Sequence, residues 1–210
     1  MEEAFEKLTE ADAKINSAGT PLRTGVHIDL GDLSQPNNNY LELLKIIGEV
    51  NKYVFLSLYG QTGGSAVFTG CPLTEAAPGM VMVAILELPP ATKAVEADSN
   101  GKSPFYLYKN LSTVMMRNVQ TIGDNAFSDC NSLRHIRFTG SGEETPPSLG
   151  EAAFLGSTPS NLNLYIQKVK LPVFIEWLTE NATKFNNDGK DIILKDCYTN
   201  ATLYPVLNSK

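Results

Sequence analysis

The sequence predicts an α/β repeat: a single-domain solenoid of short stacked parallel strands with helical caps at both ends. Three observations carry this expectation. Seven short strands (26–30, 54–58, 84–88, 112–116, 134–138, 162–166 and 191–195) align on Leu30, Leu58, Leu88, Met116, Phe138, Ile166 and Leu194 at steps of 28, 30, 28, 22, 28 and 28 residues. Two residues before each stands another apolar side chain, Ile28, Leu56, Leu86, Val114, Ile136, Leu164 and Ile192. A spacing of two places both columns on one face of a strand, toward a core. Finally, the stretch VQTIGDNAFSDCNSLRHIRF, residues 119–138, has a hydrophobic skeleton with neither helical period nor strict alternation, and that skeleton recurs.

Taken in order, Phe5, Leu8, Ala11 and Ile15 share one helical face in residues 2–17, giving an N-terminal helical cap over 1–25. Irregular repeats follow over 26–166. Within them, Tyr40, Leu43, Leu44, Ile47 and Val50 form a second helical stripe, over 39–50. The stretches GQTGGS, CPLTEAAPG and EADSNGKSP between strands read as loops inserted into early coils. Phe105, Tyr108, Leu111 and Val114 then repeat the spacing of Phe127, Cys130, Leu133 and Ile136 at 22 residues' distance. Leu149, Gly150, Ala153 and Phe154 repeat Ile122, Gly123, Ala126 and Phe127. Gly123 is expected to permit a turn that a Cβ would hinder. The region 167–210 holds a helix at 170–185, with Pro172 in its first turn and Phe174, Trp177, Leu178 and Phe185 as its stripe. NNDG at 186–189 is a turn before the final strand.

IGDNAFSDCNSLRHI resembles the repeat of the BspA-like leucine-rich-repeat family, in which Ile122, Gly123, Ala126, Phe127, Cys130, Leu133 and Ile136 fill the marked positions. LGEAAFLGS matches the first half of that repeat, and FYLYKNLSTV keeps its aromatic and aliphatic positions with Tyr108 in place of Cys. The resemblance covers residues of about 95 to 166. It implies a leucine-rich-repeat solenoid and a location at the cell surface or outside the cell. It also implies adhesion to a host-matrix or cell-surface protein, by binding and without catalysis.

Composition narrows the function independently. The 210 residues are 42% hydrophobic and 19% charged, an ordinary globular balance. A formal charge of −6 with 17 scattered basic residues argues against nucleic acid, since phosphate neutralisation needs clustered Lys and Arg. No apolar run is long enough for a transmembrane segment. The first residues are acidic and helical in pattern, unlike an export signal, so the chain is either cytosolic or follows a segment removed before Met1. Cys71, Cys130 and Cys197 cannot all pair within one chain and form no CxxC; they read as small buried residues.

Motifs for chemistry are weak. EADSNGKS at 96–103 ends like a phosphate-binding loop, but Glu96 stands where the first glycine belongs and Pro104 follows. His27 and His135 fall at the same repeat position on different strands, and no GxSxG or HExxH occurs. His27, Asp29 and Asp32 are too few and too local for a metal site. No catalytic residue, cofactor or metal ligand is therefore assigned.

What remains is the outward face of the strands. The alignment gives it two columns: Asp29, Ser57, Glu87, Met115, Arg137, Tyr165 and Ile193, and beside it His27, Phe55, Ile85, Thr113, His135, Asn163 and Asp191. This face is more apolar than solvation requires. Phe55, Glu87, Met115, His135, Arg137 and Tyr165 are its candidate binding residues, Tyr, Phe and Arg being types that dominate interfaces. Two alternatives stand beside a protein-binding module. One is a self-associating envelope protein; the other is a glycan-binding or glycan-processing protein working through loops at 59–80 and 95–104. Nothing in the sequence fixes an oligomeric state.

Overall fold

The computed structural model describes residues 16–33, 35, 37–60, 65–69, 77–98, 101, 103–105, 108–128, 130–140, 145–154, 161–185 and 191–204. Among the described residues twelve strands form two sheets. They are β1 (Leu22–Val26), β2 (Val54–Leu58), β3 (Val67–Thr69), β4 (Val83–Glu87), β5 (Ala94–Glu96), β6 (Thr113–Met116), β7 (Thr121–Ile122), β8 (His135–Phe138), β9 (Ser148–Leu149), β10 (Asn161–Ile166), β11 (Asp191–Asp196) and β12 (Thr202–Tyr204). The larger sheet has the order β1-β2-β4-β6-β8-β10-β11-β12 and the smaller β3-β5-β7-β9. Among the described residues there are three α-helices: α1 (Asn39–Val50), α2 (Ala77–Met82) and α3 (Leu171–Glu180).

This corrects the expected fold class. In place of a leucine-rich-repeat solenoid of parallel strands capped by helices at both ends, the chain is an α/β fold. It is built on a large mixed sheet, whose last pair β11–β12 is antiparallel, and a separate parallel sheet. Two of the three helices, α1 and α2, lie early within the chain, between strands. Spacing alone reports that strands recur; it carries no information about a closing hairpin or about where helices pack.

The strand alignment also needs shifting at both ends. Leu56, Leu86, Val114, Ile136 and Leu164 do stand in register. At the N-terminal edge, however, the strand is Leu22–Val26, and Val26, not Leu30, pairs with Leu58. At the other end Ile166 pairs with Asp196, so Leu194 stands beside Leu164. The reason is chemical. Thr24 and Asp196 occupy core-side positions that an all-apolar template rejects. Asp196 is satisfied there by the backbone N–H groups of Tyr198 and Thr199, at 2.7 and 3.0 Å. Those bonds, from Thr199 first, hold its carboxyl below the usual carboxylate range.

Both sheets feed one hydrophobic core. Its axis is a ladder of rings, Phe68, Phe105, Phe127, Phe154 and Phe185, stacked at centroid distances of 5.8, 4.8, 5.2 and 4.8 Å. All five are fully buried. Tyr40 meets Phe68 edge-on, its hydroxyl 2.5 Å from that of Tyr108, and Trp177 meets Phe185 edge-on at the opposite end. Offset and edge-to-face geometries suit the ring quadrupoles. Cys130 is buried beside this ladder with its thiol toward the Phe105 carbonyl.

Helix α1 begins at Asn38, whose side-chain oxygen accepts the Leu41 N–H at 2.8 Å, and ends at Asn51 in the left-handed region. It packs on α2 so closely that a Cβ at Gly79 would fall 1.7 Å from the Leu44 carbonyl oxygen. In α3, Trp177 donates to the Pro147 carbonyl at 2.7 Å and Lys184, just beyond, to that of Leu149 at 2.6 Å. These bonds occupy backbone acceptors at the β9 edge, which would otherwise invite another strand. In the turn after β7 a Cβ at Gly123 would stand 3.2 Å from Glu96 Cγ, the close approach expected there, and the left-handed residue is Asn125, φ 54°. Residues 2–15 of the helix expected over 2–17 and the NNDG turn lie outside the described residues, as does half of the 59–80 loop.

Candidate functional site: the outer face of the eight-stranded sheet

Parallel pairing sets the outward side chains in two columns. Arg23, Phe55, Ile85, Thr113, His135, Asn163 and Ile193 form one. Gly25, Ser57, Glu87, Met115, Arg137, Tyr165 and Lys195 form the other. All six candidate residues therefore share this face. Three members were missed by the sequence reading, which placed His27, Asp29 and Ile193 where Arg23, Gly25 and Lys195 stand. The alternation in DIILKD fits either frame until Asp196 is allowed on the core side.

The six do not play equal parts. Phe55 is half-buried, with the Arg23 guanidinium 4.9 Å from its ring centroid. Ile85 and Met115 are likewise half-buried on the neighbouring strands. Glu87 is buried, and one carboxylate oxygen accepts from Arg117 Nε and Nη2 at 3.1 and 2.6 Å. Its charge is thereby committed within the chain. Ser57, paired in register with Glu87, is buried with no hydrogen-bond partner for its hydroxyl.

Toward β11 the chemistry changes. The Arg137 guanidinium lies 3.8 Å from the Tyr165 ring centroid and donates to Asn200 Oδ1 at 3.0 Å. Lys195 Nζ stands 5.8 Å from the same ring. Tyr165 is 6% exposed, so it acts from beneath, as the platform that holds Arg137. His135 meets Tyr165 edge-on, with Nδ1 3.5 Å from the phenol oxygen. Burial lowers the His135 pKa, and the charges of Lys195, Arg137 and Arg134 lower it further.

Other features singled out in the sequence have structural partners. Ser103, of the Gly-Lys-Ser triplet, is buried and donates to the Ala126 carbonyl at 2.6 Å. His27 stacks on Tyr59 at 4.6 Å. Among the described residues no three His, Cys, Asp or Glu side chains group as metal ligands, and no helix is long and apolar enough to cross a membrane. The chain matches no family model, no curated protein and no solved structure.

Proposed function

We propose that the chain is a non-catalytic binding module acting at the cell surface or outside the cell, and that the outer face of the eight-stranded sheet contacts a host-matrix or cell-surface protein. The observation that carries this reading is the composition of the face: half-buried Phe55, Ile85, Met115 and Ile193 run alongside an arginine held over a tyrosine ring. Apolar area with a fixed Arg and aromatic is what interface centres use. The two groups suited to proton transfer serve other ends: Glu87 is paired to Arg117, and His135 sits in a positive field on a different strand. The extracellular setting rests on the resemblance of residues 122–136 to BspA-like repeats.

The test is an array of purified matrix and cell-surface proteins probed with the wild-type chain and with Met115→Glu and Phe55→Ala. Loss of a retained partner in both variants, with unchanged circular dichroism, is expected. Equal retention by both variants removes this face from consideration.

A further inference from the structure

Resting on the reading of this face as a protein-binding surface, we propose that its β8–β11 end receives an acidic segment of the partner, carboxylates docking on Arg137 and Lys195 and an apolar side chain on Tyr198.

The charge balance points there. The chain as a whole carries −6, yet Arg137 of β8 and Lys195 of β11 both stand by the Tyr165 ring, with Arg134 just before β8, and among the described residues no carboxylate pairs with any of the three. Glu87, the acid on the same face, is neutralised by Arg117. That leaves a local positive surface on an acidic protein. Beyond the effect of its burial, all three charges lower the pKa of neighbouring His135.

Geometry supports a carboxylate as the counter-ion. Contact with the Tyr165 ring and the bond to Asn200 hold the Arg137 guanidinium in position. A fork held in place loses little further freedom when a carboxylate docks on its remaining N–H groups. The same bond ties the 197–200 turn to the face, and that turn presents Tyr198, 76% exposed. Val169, also 76% exposed, follows Lys168, whose charge acts on Asp196 at the start of the turn. Cations beside exposed apolar groups match a segment in which acidic and apolar residues alternate.

The probe is a short fluorescein-labelled peptide alternating Glu and Leu, with its Gln-for-Glu counterpart as control, followed by anisotropy and by amide shifts in ¹H–¹⁵N spectra. Expected are shifts confined to β8, β10, β11 and the 197–200 turn, and binding that weakens from about 50 to 500 mM salt. Affinity should fall about two- to fivefold in Lys195→Gln and again in Arg137→Gln. Should Arg137→Gln disturb folding, the salt series and the half-exposed Lys195 variant still decide. Equal binding of the Gln peptide, shifts elsewhere, or retention only by phosphatidylserine vesicles overturns the proposal. A partner from the protein array that needs Phe55 and Met115 but tolerates both charge variants also overturns it, while leaving the broader reading intact. Indifference to all four substitutions sinks both.

Discussion

At the scale of single residues, the outer face depends on how each side chain is held rather than on which types are present. Arg137 and Tyr165 form one unit, worth roughly 0.5–2 kcal/mol as a cation–π contact, in which the ring is buried and the arginine half-buried above it. His135 gives this neighbourhood a pH signature. Burial and then the Lys195, Arg137 and Arg134 charges put its folded pKa below the ordinary 6.5. Between 6.5 and that lower value the unfolded chain takes up a proton that the native state resists, so the native state loses stability as pH falls through the window. Above 6.5 both states are neutral at this position and its contribution is flat. Urea midpoints measured across this range should therefore decline less steeply for His135→Gln than for wild type. Parallel declines would show that His135 is no more resistant to protonation in the native state than in the unfolded chain. In Lys195→Gln the histidine should titrate at higher pH by ¹³C-edited NMR, because one repelling charge is gone.

Among elements, what was legible in the sequence follows from how strongly each position is constrained. The central strands read correctly because Leu86, Val114, Ile136 and Leu164 are all buried and apolar, leaving one admissible frame. The end strands did not, because Thr24 and Asp196 stand on the core side with polar side chains. Local bonds such as those from Tyr198 and Thr199 to Asp196 leave no trace in a hydrophobicity pattern. This two-residue error exchanged Lys195 for Ile193 and so concealed part of the positive cluster. The stripes at 39–50 and 170–185 did predict helices at Asn39–Val50 and Leu171–Glu180. Their placement in the fold was not visible, since a stripe says that a face is buried and not against what. The Asn38 cap offers a test of how far α1 depends on local chemistry. Its side chain accepts from Leu41 and donates to the Gln35 carbonyl at 2.6 Å while almost fully buried. Asn38→Ala should cost about 1–2 kcal/mol in chemical denaturation, whereas Asn38→Asp keeps the cap acceptor but loses the donor. An alanine variant as stable as wild type would mean that tertiary packing alone holds the helix.

For the molecule as a whole, the continuity of the core is the governing fact. The ring ladder runs from Phe68 beside α1 to Phe185 beside α3, and both sheets contribute to one hydrophobic cluster. Such continuity argues that distant parts unfold together, as in a two-state domain. The single tryptophan makes this measurable, because Trp177 contacts Phe185 and Phe174 at one end of the ladder while Phe68 lies at the other. Phe68→Ala leaves a cavity between Tyr40 and Phe105, at a cost of roughly 3–5 kcal/mol, which for a chain of this length lowers Tm on the order of 10 °C. If the core is one cooperative unit, Trp177 fluorescence and far-ultraviolet circular dichroism should both shift by that amount and remain superimposable, although the substitution touches nothing near the tryptophan. A fluorescence transition that stays at the wild-type temperature while the dichroism splits would divide the molecule between the α1 and α3 ends. The positive cluster on β8, β10 and β11 would then belong to a unit that folds without the Phe55 end of the sheet. In the cooperative case the two ends of the outer face stay in fixed relation, as a single extended contact with one partner requires.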